Sequence, residues 1–168
     1  MIHVNVKGVL DAAQFLRSYS SSLEDKCMEL CKRLADVGVP IARATYATFP
    51  YDGTKDYKIT AEPTENGYRV LAEGETVLFL EFGAGVTYGY GHPKARELGM
   101  GPGTWSDGPD GKGHWDDPNG WYLPLSAGKG RGYKSMGNAP TMGMYYAAQN
   151  MKDQIETIAR EVFANDRR

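Results

Sequence analysis

Apolar residues spaced as on one face of a helix predict a long N-terminal helix. From about Leu10 to about Thr48 they recur at steps of four and three, as in a helix with one buried side. Because proline removes a backbone donor and clashes with the preceding turn, Gly38 and Pro40 predict a bent helix or two collinear pieces. The apolar stripe consists of Leu23, Cys27, Leu30, Leu34, Val37 and Ile41.

Alternation of apolar and polar residues predicts strands at three places. Ile2–Val6 has this pattern over a short stretch, and 57–61 and 68–72 repeat it. Asn66-Gly67 stands between the second and third runs, which predicts a β-hairpin with a type I′ turn at Asn-Gly. Val77–Phe82 is apolar almost throughout and fits either a buried strand or a short helical turn.

A second helical stripe runs from about Ala139 to about Phe163. Its apolar positions again step by four and three, which predicts an amphipathic C-terminal helix packed on the first one. They are Met144, Ala148, Met151, Ile155, Ile158 and Val162. The order of elements predicts a single α+β domain over residues 1–168, with both helices laid on one face of a small antiparallel sheet.

Residues 86–136 form a long insertion rich in glycine and tryptophan. The stretch from Gly83 to Gly137 holds 15 of the 21 glycines and all three tryptophans. Long structureless loops are uncommon in compact domains, and a flexible linker would lack aromatic residues. We therefore expect the insertion to order against its own domain, a partner or a second copy. The candidate interface residues within it are Trp105, Trp115, Trp121, Tyr122 and Tyr133.

Charge and composition exclude several classes of protein. A formal net charge of −2 and a pI near 5.9 argue against a protein whose main role is to grip nucleic acid. No apolar run approaches the ~18–20 residues of a membrane span, and the first residues do not resemble a secretory leader, so we expect a cytoplasmic protein without membrane contact. The insertion carries a set of basic side chains that allows a secondary contact with DNA phosphate. Acidic side chains among them weaken their combined positive charge. The basic set is Lys94, Arg96, Lys112, Lys129, Arg131 and Lys134.

Candidate chemistry in the sequence is sparse. Cys27 and Cys31 lie four apart on the predicted helix, where their sulfurs are poorly placed for a disulfide, so we interpret them as small apolar core residues. No two of His3, His92 and His114 have a helical metal-ligand spacing. The glycine-rich segments match neither a phosphate loop nor a dinucleotide fingerprint. We therefore expect neither an enzyme nor a cofactor.

Two other functions stay open from the residues alone. A small ligand-binding or sugar-binding module would use the insertion, since tryptophan faces can stack on sugar rings. A metal-dependent hydrolase would use His92, His114 and Asp116.

Three segments in order carry a resemblance to a known family. They are Ala44–Thr54 at the end of the first helix, the Leu-Glu-Phe-Gly-Ala-Gly of Leu80–Gly85 after the hairpin, and Asn138–Met142 before the last helix. Over residues 9–82 and 138–165 the chain resembles the tail-completion (head–tail joining, neck or minor tail component) proteins of long-tailed double-stranded DNA phages. It departs from them in the long insertion and in lacking a Pro-Phe-Leu before the last helix.

The resemblance implies a structural assembly protein at the head–tail junction or tail end. It implies protein–protein contacts within a homo-oligomeric ring and with other phage neck and tail proteins, in the virion and in the host cytoplasm during assembly. In this setting the insertion could order on assembly. Two roles are open for Glu81. It forms an ion pair with a cation of a neighbouring subunit, or it has a structural role in which it caps a turn or faces water. Leu78 and Phe82 are expected in the core.

Overall fold

The structure, a computed structural model, describes residues 6–49, 56–85, 87–88, 91–100, 117–123 and 133–164. Its elements are α1 (Val6–Ala47), β1 (Lys58–Thr64), β2 (Gly67–Glu73), α2 (Val77–Phe82), β3 (Trp121–Leu123), β4 (Tyr133–Ser135) and α3 (Gly143–Phe163). The expected α+β class is confirmed. Of the predicted first strand, residues 2–5 lie outside the described part, and Val6 already belongs to α1.

Helices α1 and α3 pack antiparallel through small residues. Arg33 near the middle of α1 forms an ion pair with Glu161 at the end of α3, while Tyr46 near the end of α1 lies against Gly143 at the start of α3. Small side chains let the two backbones approach closely. The residues with this role are Gly38, Ala42, Gly143 and Ala147.

The buried face of α1 is offset by about one residue from the predicted stripe. Ala35, Ala42 and Tyr46 are buried, whereas the predicted positions from Leu30 to Ile41 are only half-buried. The offset arises because α3 and the hairpin cover α1 from two directions, so the buried side is wider than one stripe. Leu23 is exposed because it lies on α1 before the contact with α3 begins.

The two cysteines are free thiols in different surroundings. Cys31 is half-buried beneath Gly67 of the hairpin, but Cys27 is exposed, so the prediction that it is a core residue is wrong.

The predicted hairpin is confirmed, but its turn is shifted by one residue. Thr64 pairs with Gly67, so the loop residues are Glu65 and Asn66. Neither has a positive φ, so the turn is not type I′. Gly67 instead opens β2 against α1, where an added Cβ would lie 3.2 Å from the Cys31 Sγ.

The hairpin packs on α1, and α3 packs chiefly on α1 rather than on the sheet. The expectation that both helices lie on one sheet face is therefore corrected to a sheet–helix–helix stack. The core at this junction is Ala42, Tyr46, Ile59, Leu80 and Ala147.

The apolar run after the hairpin is a helix, α2, and not a strand. Its helical turn puts Leu80 in the core, while Leu78 on the opposite side is 45% exposed, so the expected burial of Leu78 is wrong. Phe82 is half-buried with its ring against His92. Within the insertion, β3 and β4 form a second antiparallel pair. None of the described helices is long and apolar enough to span a bilayer.

Candidate functional site: a buried carboxylate at the start of the last helix

Glu81 is a buried carboxylate at the meeting point of α1, α2 and α3. It lies in the last turn of α2 and is only 6% exposed. Burying a charged side chain without partners is strongly unfavourable, so its surroundings must supply hydrogen-bond donors.

Four donors of the same chain satisfy the two oxygens of Glu81. Oε2 accepts from the Tyr46 hydroxyl and from the Met144 backbone N–H, both at 2.8 Å. Oε1 accepts from the Tyr145 backbone N–H at 2.9 Å and contacts His92 Nε2 at 3.0 Å. A carboxylate offers about four acceptor positions, so all are occupied. We call these five residues the Glu81 cluster.

The carboxylate caps α3 from another element. Met142 at the N-cap position has a left-handed backbone, with φ 59° and ψ 38°, and its side chain makes no capping hydrogen bond. The first N–H groups of a helix have no partner within it, and the helix dipole favours a negative charge there. Glu81 supplies both the acceptors and the charge, so α2 and α3 are joined at this point.

His92 is neutral in this arrangement. Its Nδ1 accepts a hydrogen bond from the Lys94 backbone N–H at 3.0 Å, so that nitrogen carries no proton and Nε2 donates to Glu81. The ring is 4% exposed and lies 4.5 Å from the Phe82 ring and 5.4 Å from the Tyr145 ring, centroid to centroid. Both nitrogens are therefore engaged within the chain.

Tyr46 is fully buried and holds its proton firmly. Burial raises the pKa of its phenol well above the usual value, and the neighbouring Glu81 charge raises that pKa further. The protonated hydroxyl remains the donor to Glu81, and the ring packs edge-on against Tyr57 at 5.4 Å.

Glycines let the segment after Glu81 lie against the segment before α3. Gly83 has φ 76° and ψ −176°, a conformation that is essentially restricted to glycine, and an added Cβ would lie 2.6 Å from the Asn138 oxygen. Ala84 and Asn138 exchange backbone hydrogen bonds at 3.0 and 2.9 Å. Thr141 completes the junction, since its N–H and hydroxyl both donate to the Leu80 carbonyl.

A second carboxylate fixes the start of α2. Asp56 accepts from the Glu75 N–H at 2.9 Å and from the Thr76 hydroxyl at 2.8 Å. The Glu75 hydrogen bond is the main reason that the pKa of Asp56 is lowered. Neither Asp56 nor Tyr46 is a candidate site residue from the sequence: Tyr46 lies within the Ala44–Thr54 segment, but no local pattern marks its contact with Glu81, and Asp56 belongs to no quoted motif.

The candidate interface residues fall into three groups. Glu81 is in the interior, where a cation from a neighbouring subunit would have to displace one of its four donors. Trp105 and Trp115 lie outside the described residues. Trp121 and Tyr122 belong to β3 and Tyr133 to β4, and in the backbone register of this pair Leu123 is the partner of Tyr133 and Trp121 the partner of Ser135.

The metal-site alternative gains no support from the described part of the chain. His92 is occupied by Glu81 and Lys94, while His3, His114 and Asp116 lie outside that part. Within it, no group of three or more His, Cys, Asp or Glu side chains is placed to hold a metal ion. The Glu81 cluster thus joins helices and does not present a free acid or base to a substrate.

No protein-family model, curated protein or solved structure matches this chain.

Proposed function

We propose that this chain is a structural assembly protein of a long-tailed phage or prophage, acting by protein–protein contacts at the head–tail junction or tail end. One observation carries the proposal. The segment that most resembles the tail-completion family, Leu80–Gly85, is also the segment that joins α1, α2 and α3 through Glu81 and Gly83. Because the packing of three helices depends on the residues of this motif, its likeness to the family is stronger support for the proposal than a likeness in residues without a structural role.

The surface around this junction favours contacts with other proteins. Large apolar side chains are exposed on α2 and on segments that flank the undescribed parts of the insertion. They are Leu78, Tyr88, Leu98 and Met136. The proposed partners are other neck and tail proteins and further copies of the chain in a ring, within the virion and in the host cytoplasm during assembly.

The direct test is electron microscopy of particles made by a genome in which this gene carries an early stop codon. The proposal predicts DNA-filled heads beside detached tails, restored to whole particles by the gene supplied in trans. Normal infectious particles without the protein would rule the proposal out.

A second test addresses the insertion. We expect Trp105→Ser with Trp115→Ser to abolish complementation, because aromatic side chains contribute much of an interface's energy. The matched variant carries Phe at both positions and keeps the ring area, so it should retain partial complementation. Full infectivity of the Ser variant would contradict an interface at these residues.

A further inference from the structure

The two strands of the β1–β2 hairpin each present an edge of backbone groups. In an antiparallel pair, every second residue of a strand turns its N–H and C=O away from the partner strand. A two-residue loop is closed by a hydrogen-bonded pair, here Thr64 with Gly67, and this fixes which residues face outward. In β1 they are Ile59, Ala61 and Pro63, and in β2 they are Tyr68, Val70 and Ala72.

The edge of β1 is closed to a further strand at two of its three outward residues. The Ile59 carbonyl accepts a hydrogen bond from the Arg43 guanidinium at 2.6 Å. Pro63 has no N–H to donate, and proline is found on strand edges that do not pair. Proteins protect edge strands in these ways against pairing with other chains.

The edge of β2 has no such protection. The seven residues of the strand include no proline, and their register with β1 runs without a bulge. In the part of the chain that the structure describes, no hydrogen bond joins the outward groups of Tyr68, Val70 or Ala72 to another element. The strand is also the less covered of the two. Ala72 is half-buried, whereas its partner Ile59 is only 1% exposed.

We propose that β2 pairs with β2 of a second copy, antiparallel about a two-fold axis at Leu71, to form a four-stranded sheet. Leu71 then faces Leu71 of the second copy, and Arg69 of each copy faces Glu73 of the other. Val70 faces Ala72 of the second copy, and the outward groups of these two residues exchange main-chain hydrogen bonds on both sides of the axis. The blocked β1 edge leaves β2 as the edge through which copies pair.

Charge selects this register among those that two β2 strands allow. Val70 and Ala72 pack toward the core, so Arg69, Leu71 and Glu73 lie on the opposite face of the strand. An axis at Arg69 or at Glu73 puts two like charges opposite each other, which is unfavourable. An axis at Val70 or Ala72 puts Leu71 opposite a charged side chain. Only the axis at Leu71 pairs opposite charges twice and leucine with leucine.

The helices that cover the hairpins fit side by side in this dimer. α1 packs on both strands of its own hairpin. Neighbouring strands lie about 4.8 Å apart, so the centres of two paired hairpins lie about 10 Å apart. That spacing is close to the distance of about 8–10 Å at which helices pack on each other. A four-stranded sheet is also more stable than an isolated two-stranded hairpin, which is marginal in water.

The proposal concerns the free protein and does not depend on the proposed function. Sedimentation velocity of the full chain tests it, at concentrations up to about 0.5 mM because a short strand contact binds weakly. Wild type should form a dimer as its concentration rises. A wild type that stays monomeric throughout this range overturns the proposal.

The charge pairs are tested by two variants measured alone and mixed. Glu73→Arg and Arg69→Glu should each dimerise at least about tenfold more weakly than wild type, because each puts like charges opposite each other twice. An equimolar mixture should dimerise like wild type, since the arginines of one variant then face the glutamates of the other. Glu65→Arg in the hairpin turn makes the same charge change away from the edge and should not affect the dimer. A mixture that associates no better than either variant alone overturns the proposal.

The axis is tested by disulfide formation in a Cys27→Ser, Cys31→Ala background. Residues that face each other in a non-hydrogen-bonded antiparallel pair have Cα atoms about 4.5 Å apart, which a disulfide spans. The Leu71→Cys protein should therefore form a covalent dimer by itself. Thr60→Cys lies beside position 71 on β1 and is likewise half-buried, so it is the matched control and should remain monomeric. Equal disulfide formation by the two proteins overturns the proposed axis.

Discussion

A single carboxylate connects three helices that are far apart in the sequence. Glu81 receives hydrogen bonds from α1, from the segment after α2 and from the first turn of α3. Such a buried charge is tolerated only while every acceptor position is filled, so its removal or neutralisation leaves donors without partners. The stability of the junction should therefore depend on this residue more than on any exposed charge near it.

We expect Glu81→Gln to lower the free energy of unfolding by about 2–4 kcal/mol. The amide replaces one acceptor oxygen with a donor, which then faces a backbone N–H or another donor. Urea unfolding followed by circular dichroism measures the change. The control Glu75→Gln alters an exposed side chain and should stay within about 0.5 kcal/mol of wild type. Equal stability of the two variants would contradict the role assigned to Glu81.

Tyr46 gives the junction a specific response to alkaline pH. Because its pKa is raised in the folded state, the unfolded chain loses the phenol proton first, and folding stability falls once the pH exceeds about 10, the ordinary value. This single group contributes a loss of about 1.4 kcal/mol per pH unit in that range. The Tyr46→Phe variant has no phenol proton at this position, so it does not show this loss of stability.

The stability advantage of wild type over Tyr46→Phe should therefore be constant below about pH 9 and shrink as the pH rises above about 10. Urea unfolding of both proteins at a series of pH values measures it. Tyr57→Phe serves as the aromatic control, because it leaves the hydrogen bond to Glu81 intact. A difference that stays unchanged to high pH would show that Tyr46 is not held protonated by the fold.

At the scale of elements, the contact between α1 and α3 depends on residues without large side chains. An added Cβ at Gly143 would lie 2.5 Å from the Tyr46 ring, which the hydrogen bond to Glu81 holds in place. An added Cβ at Gly38 would meet the flexible Met151 side chain, with the sulfur at 2.7 Å. The two glycines therefore differ in how easily their neighbour can move.

We expect Gly143→Ala to destabilise the protein by about 1–3 kcal/mol through overpacking. Gly38→Ala should lie within about 1 kcal/mol of wild type, because the helix propensity gained offsets the shift of Met151. Thermal unfolding of both variants separates the two cases. A larger loss of stability for Gly38→Ala than for Gly143→Ala would contradict this expectation, because it would mean that the Met151 side chain cannot move away from the added Cβ.

Elements with strong local signals could be predicted from the sequence, and the contacts between them could not. Asn66-Gly67 marked the hairpin correctly, yet Gly67 is needed for its approach to Cys31 and not for the turn. Apolar spacing predicted α1 and α3, but the buried face of α1 depends on how two neighbours share it. Val77–Phe82 was ambiguous because a short apolar run fits a strand and a helix equally well.

At the scale of the whole molecule, the order of elements was predictable but the Glu81 cluster was not. Glu81 can be singled out from the Leu80–Gly85 motif, yet Tyr46 and Met144 lie 35 and 63 residues away and meet it only through the packing of α1 against α3. No local pattern encodes such a convergence.

We propose that the chain is built into the joint between head and tail of the phage particle. The most direct measurement is a cryo-electron microscopy reconstruction of that joint in particles from a genome that encodes the chain. We predict a ring of copies in which each contributes the 42-residue helix α1 and the Glu81 cluster, with insertion tryptophans at contacts between neighbouring proteins. A joint fully accounted for by other chains, with this one absent from the particle, would contradict the account.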